Sequence, residues 1–197
     1  MERQSGPPPT IIYEPIEPRS TPPLAPMVWL IAIVGSVGGV GAAFINNSTI
    51  SMDPTVGILL FVVAAPAVEE ICKPLAIVFL LDKRPHWFRG STEIIVLAAC
   101  SALVFATLEN LLYIFVNNPD GSASFVTFRL TICTALHMLA STVFGFGLAK
   151  MWRHIQDKGG HFDIDICFKY YVAAVIIHGA YNGLVMTLAL SGVLNFE

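Results

Sequence analysis

Charge is what this sequence has least of. Only 13% of its 197 residues are Asp, Glu, Lys or Arg, against 55% hydrophobic residues and a mean hydropathy of +0.69. An average soluble domain carries about 25% charged residues, so a water-soluble globule is not the expectation. Cations are not in surplus either, the net charge being −3, and no nucleic-acid partner is expected. Cysteine is scarce: Cys72, Cys100, Cys133 and Cys167 stand far apart with no CxxC pair. That pattern reads as small buried hydrophobes rather than disulfide or metal chemistry, and leaves the redox compartment open.

What is present is a series of apolar runs. Five are about 20 residues or longer, the length that spans a bilayer: Met27 to Ile45, Thr55 to Leu81, Ile94 to Val116, Val126 to Met151 and Phe168 to Gly192. The fold expected is all-α, a polytopic membrane helical bundle of about five transmembrane helices over residues 27–197. Residues 1–26 hold eight of the thirteen prolines and read as a Pro-rich disordered cytoplasmic tail. They have no apolar core behind a short basic region, so a cleaved signal peptide is not expected. Nine of the eleven Lys and Arg lie in the tail, after the second run, or from the end of the fourth run to the start of the fifth, while Asn46 to Pro54 and Asn117 to Phe125 have none. The positive-inside rule then gives a multi-pass protein of the cell membrane, N-terminus cytoplasmic and C-terminus outside. Trp29, Trp87 and Trp152 fall at the cytoplasmic ends, as an interfacial belt would.

Against this background the second run breaks a rule. It carries Glu69, Glu70 and Lys73 between Pro66 and Pro74, and each charge costs about 2.5 to 3.5 kcal/mol at the centre of a membrane helix. Lys73 is four residues after Glu69 and three after Glu70, so it can lie between the carboxylates. It cannot neutralise both, and a surplus charge or a shared proton is expected to remain inside the protein. The two prolines each remove a backbone donor, which predicts a break or kink in the helix there. Irregular backbone at that depth needs cover from protein or a wet cavity, and a cavity is expected. In the first run, Gly35 and Gly39 form a GxxxG packing seam.

The later runs supply partners. The third holds Glu109 and Asn110, the fourth Arg129, His137 and Ser141, the fifth His178 and Asn182. His137 and Ser141 share one helical face, as do His178 and Asn182. Gly145, four residues after Ser141, extends the His137 face as a small-residue seam, and Gly179 and Gly183 stand at GxxxG spacing in the fifth run. Glu109 pairing with Lys73 or Arg129 as a plain helix clamp is the alternative to a catalytic role. Counted at about 1.5 Å per residue, Glu69 and His178 lie some 21 Å from the outer helix ends, His137 about 16 Å, Asn182 about 15 Å and Glu109 about 10 Å. These depths bracket the midplane and predict one shared site. His161, Asp163 and Asp165 in the last connection read as a solvated loop rather than metal ligands.

In this order the motifs Glu69-Glu70-x-x-Lys73, Phe105-x-x-x-Glu109-Asn110, His137-x-x-x-Ser141 and His178-x-x-x-Asn182 resemble the PrsW family of glutamic intramembrane proteases, within the group that includes CAAX prenyl endopeptidases and bacteriocin-processing enzymes. The resemblance implies an intramembrane endopeptidase that hydrolyses a peptide bond of a membrane-anchored protein with an activated water. Glu69 or Glu70 would be the base, His137 would assist and protonate the leaving amine, and His178 and Asn182 would donate to the oxyanion. Lys73, Glu109, Asn110, Arg129 and Ser141 would support them. Where CAAX-type relatives have FxxxH, this chain has Glu109, so no His role is carried there. The partners implied are the lipid bilayer and a single-pass membrane protein substrate such as an anti-sigma factor; oligomeric state is left open. No cofactor is expected. The alternatives are a zinc-dependent hydrolase using Glu69, Glu70, His137 and His178, for which an HExxH motif is missing, and a non-catalytic membrane scaffold. There is no GxSx nucleophile loop and no pair of Asp inside the runs, which sets other intramembrane protease chemistries aside.

Overall fold

A computed structural model describes residues 25–48, 54–159 and 162–196. The expected Pro-rich tail apart from its last two residues, and His161, lie outside the described residues, as do the surroundings of Gly39 in the expected GxxxG seam.

Helix is the only regular structure among the described residues. The first run forms α1, Ala25–Ser48. The second is built in pieces: α2, Pro54–Leu59, a wide π-helical turn over Leu60–Ala64, α3, Ala65–Cys72, and α4, Leu75–Lys83. The third is α5, Ser91–Leu112, ending in a π-helical turn over Tyr113–Asn117. The fourth comprises α6, Ala123–Phe128, another π-helical turn over Arg129–Cys133, and α7, Thr134–Lys158. The fifth is α8, Ile164–Leu190, whose first turn is capped by the Asp163 carboxylate accepting from the Asp165 amide. Among the described residues four helical stretches are long and apolar enough to cross a membrane, Thr55–Cys72, Ser91–Asn117, Ala123–Lys158 and Ile164–Leu190, with a shorter apolar helix over Pro26–Val37. The five expected runs are thus all helical, but the second stops being one span at Cys72.

The prolines explain the pieces. Pro66 has no N–H for the Val62 carbonyl, and one residue earlier the Ala65 amide reaches back five residues to Leu60. Two carbonyls, of Phe61 and Val62, are thereby released from the regular ladder. Pro74 ends α3 in a turn at Lys73-Pro74, and α4 restarts with the Val78 amide donating to the Pro74 carbonyl. The predicted break occurs at both ends of α3.

Helix α5 packs along α7 and α7 along α8, with α1 against α5 and α3 wedged between α1 and α8. The apolar core, including Val28, Ile77, Leu97, Phe144, Leu148 and Met151, gathers towards the tryptophan end. There Trp152 donates to the Pro85 carbonyl and Trp29 to Glu93. Leu30, Phe79, Phe115, Ile176 and Leu184 face outward, the reverse of a soluble domain and the arrangement a bilayer covers. Gly35 lies where a Cβ would collide with Ala76 of α4, and Gly145 where one would meet Ala98 and Ile95 of α5. The small-residue seam at Gly35 therefore serves the chain itself.

Candidate active site

Two helices, α7 and α8, converge on α3. Glu69, Glu70 and Lys73, with His137 and Ser141 of α7 and His178 of α8, are all buried. The charges are enclosed in the bundle: Glu70 and Lys73 are fully buried and Glu69 is only 5% exposed. Such groups are tolerated at membrane depth when they face one another rather than lipid.

The two glutamates are not equivalent. The Lys73 ammonium lies 2.5 Å from Glu70 Oε1, and His178 Nδ1 lies 2.8 Å from the same oxygen. Ser141 donates to Glu70 Oε2 at 2.9 Å. An ionised carboxylate only accepts, so His178 carries its proton on Nδ1 and keeps a lone pair on Nε2. That lone pair lies 3.8 Å from Glu69 Oε2. Glu69 Oε2 is also 3.8 Å from Lys73 Nζ and 3.9 Å from His137 Nδ1, yet among the described residues it is buried without a hydrogen-bond partner.

His137 is engaged at both nitrogens. Its Nδ1 lies 2.8 Å from Lys73 Nζ, which can only donate, so Nε2 bears the hydrogen and donates to Glu109 at 3.0 Å. Glu109 is in turn held by Arg129 at 3.1 Å, and the Arg129 guanidinium stacks 3.8 Å from the Tyr113 ring centroid. The pairing of Glu109 with Arg129 is thus present, and His137 takes the place given to Lys73. The imidazoles of His137 and His178 meet edge to face, 4.8 Å apart at 81°.

Both motif asparagines bond to backbone loosened by a π-helical turn. Asn182 donates to the Phe61 carbonyl at 3.0 Å, and Asn110 to the Arg129 carbonyl at 2.9 Å. Gly179 lies where a Cβ would collide with the Val62 carbonyl, so α8 touches the released backbone at two successive carbonyls. The expected site residues other than Asn182 are thus linked into one cluster, and Asn182 is tied to the Phe61 carbonyl instead.

The sequence reading assigned no role to two further contributors. Phe105 places its ring 4.9 Å from Lys73 Nζ and 5.7 Å from the His137 ring. The Ser101 hydroxyl donates to the Lys73 carbonyl. Ser101, Phe105 and Glu109 are spaced by four, and that shared face was the available signal. Asp163 and Asp165 are exposed and away from the cluster, and the four cysteines are free.

A family model described as PrsW family intramembrane metalloprotease matches residues 23–196. No curated protein and no solved structure is matched.

Proposed function

The chain belongs to the PrsW family of intramembrane proteases, and from that membership we propose that it is a glutamate-dependent endopeptidase in which Glu69 activates the water that cleaves a membrane-anchored protein. The observation that carries this reading is the unpartnered Glu69 Oε2, facing the free Nε2 of His178 across 3.8 Å. A water donating to both acceptors at about 2.8 Å fits that separation. As the water oxygen attacks the carbonyl carbon, its proton passes to Glu69, which returns it to the amide nitrogen as the C–N bond breaks. His178 accepts the second hydrogen of the water and orients it. The Asn182 amide has a second N–H beyond the one given to Phe61, available to the oxyanion. His137, committed to Lys73 and Glu109, positions its neighbours, and proton delivery passes to Glu69.

The matching family is described as one of metalloproteases. Glu69, His137 and His178 offer ligand atoms within 4.8 Å of one another, a donor set of the kind zinc takes. As arranged, it does not fit a divalent ion. Both nitrogens of His137 are engaged, only Glu69 and His178 have free donor atoms, and an ammonium already stands 3.8 Å from Glu69.

The substrate proposed is a single-pass protein such as an anti-sigma factor, reached within the bilayer of a cell membrane, with the N-terminus of the chain cytoplasmic. The test is Glu69→Gln with a membrane-tethered reporter. Cleavage is expected to fall by about 10²- to 10⁴-fold, the usual weight of a general base; cleavage at the wild-type rate would remove the proposal.

A further inference from the structure

We infer that Lys73 occupies, with its ammonium, the position from which a divalent metal would act on this cluster, and that this internal cation is what closes the Glu69–His137–His178 set to metal. This deepens the reading given under Proposed function, in which hydrolysis proceeds from Glu69 without a metal.

Burial sets the demand for a cation. Two adjacent carboxylates, Glu69 and Glu70, are enclosed with a third, Glu109, and buried negative charge of that density needs a cation at its centre. Arg129 serves Glu109 from one side. For the pair on α3 the cation is Lys73, which is fully buried and within 4 Å of both glutamates and of His137 Nδ1. These contacts are those of a bound cation: a carboxylate, an imidazole nitrogen and a second carboxylate arranged around one positive atom.

A metal would need His137 Nδ1, and that is the atom Lys73 takes. A lysine placed there is covalently fixed to the helix that carries the base, so the site needs no captured ion. The contact also decides the tautomer of His137, because an ammonium on Nδ1 forces the hydrogen to Nε2, where Glu109 receives it. Replacing Lys73 by an apolar side chain of similar length would free Nδ1 while leaving Glu69 Oε2 and His178 Nε2 open. Three converging ligands with room for a fourth form an open zinc site.

The experiment measures zinc bound to the full-length protein in detergent, by titration with zinc ion and by elemental analysis after removal of excess. Wild type and Lys73→Arg are expected to hold no stoichiometric zinc. Lys73→Met is expected to bind about one equivalent per chain, lost again when His178→Ala is added. Stoichiometric zinc on wild type that disappears with His178→Ala would overturn the inference. So would a folded Lys73→Met that takes none. If Lys73→Met does not fold, Lys73→Gln and the wild-type titration decide in the same way. Metal content is read on the resting protein and the role of Glu69 on cleavage, so the two readings fail separately.

Discussion

Adjacent glutamates on one helix have opposite tasks here. Glu70 is saturated: Lys73, His178 and Ser141 all point at it, so it joins α3 to both α7 and α8. Glu69 has an oxygen with no hydrogen-bond partner. Thermal unfolding of the two Gln variants in detergent should therefore separate them. Glu70→Gln leaves the Lys73 charge buried without its closest partner and is expected to lose about 3 to 5 kcal/mol, whereas Glu69→Gln should melt near wild type while failing to cleave. Equal melting of the two would contradict the division. In the sequence the spacing of Glu69, Glu70 and Lys73 already placed the ammonium between the carboxylates. Which glutamate would be saturated and which left with a free oxygen was not legible, because adjacent side chains diverge by about 100° and the rotation of α3 is set by neighbours far along the chain.

At the scale of the element, the second run shows why a proline can serve a buried site. Pro66 and the turn over Leu60–Ala64 release the carbonyls of Phe61 and Val62, and α8 answers with Asn182 and with the bare surface of Gly179. A methyl group at Gly179 meets backbone, which cannot swing aside, so Gly179→Ala is expected to cost about 1 to 3 kcal/mol and to reduce cleavage by displacing His178. Gly183, whose nearest neighbours are the Val62 methyls at 3.9 Å, should accept Ala with a change of about 0.5 kcal/mol or less. Melting temperatures and cleavage by the two variants, compared directly, check this; a tolerant Gly179 would show that close approach to be unimportant. The GxxxG spacing announced tight packing at both glycines. It could not announce that one faces a carbonyl and the other a side chain, because the π-helical turn shifts the phase of the facing helix and leaves no mark in residue spacing.

At the scale of the molecule, helices long enough to cross a bilayer and a family of membrane proteases agree on a multi-pass protein. The apolar runs were plain in the sequence because lipid demands them; their true ends were not, since helix continues past Met151 to Lys158 and begins at Ile164 rather than Phe168. Orientation is tested by single cysteines at two exposed positions, Arg84 and Asp120, probed with a membrane-impermeant maleimide on intact cells against the wild-type background. Asp120→Cys is expected to react from outside and Arg84→Cys only after permeabilisation; the opposite pattern would invert the topology. One consequence of the broken second span concerns how a peptide gets in. The rod Ala65–Cys72 is jointed at either end, by a loosened coil on one side and an imino acid on the other, and it bears Glu69, the base proposed above. It is the piece of the bundle that can tilt with the least unravelling of its own backbone, so admission of a substrate should begin as a rocking of that rod between its two pivots.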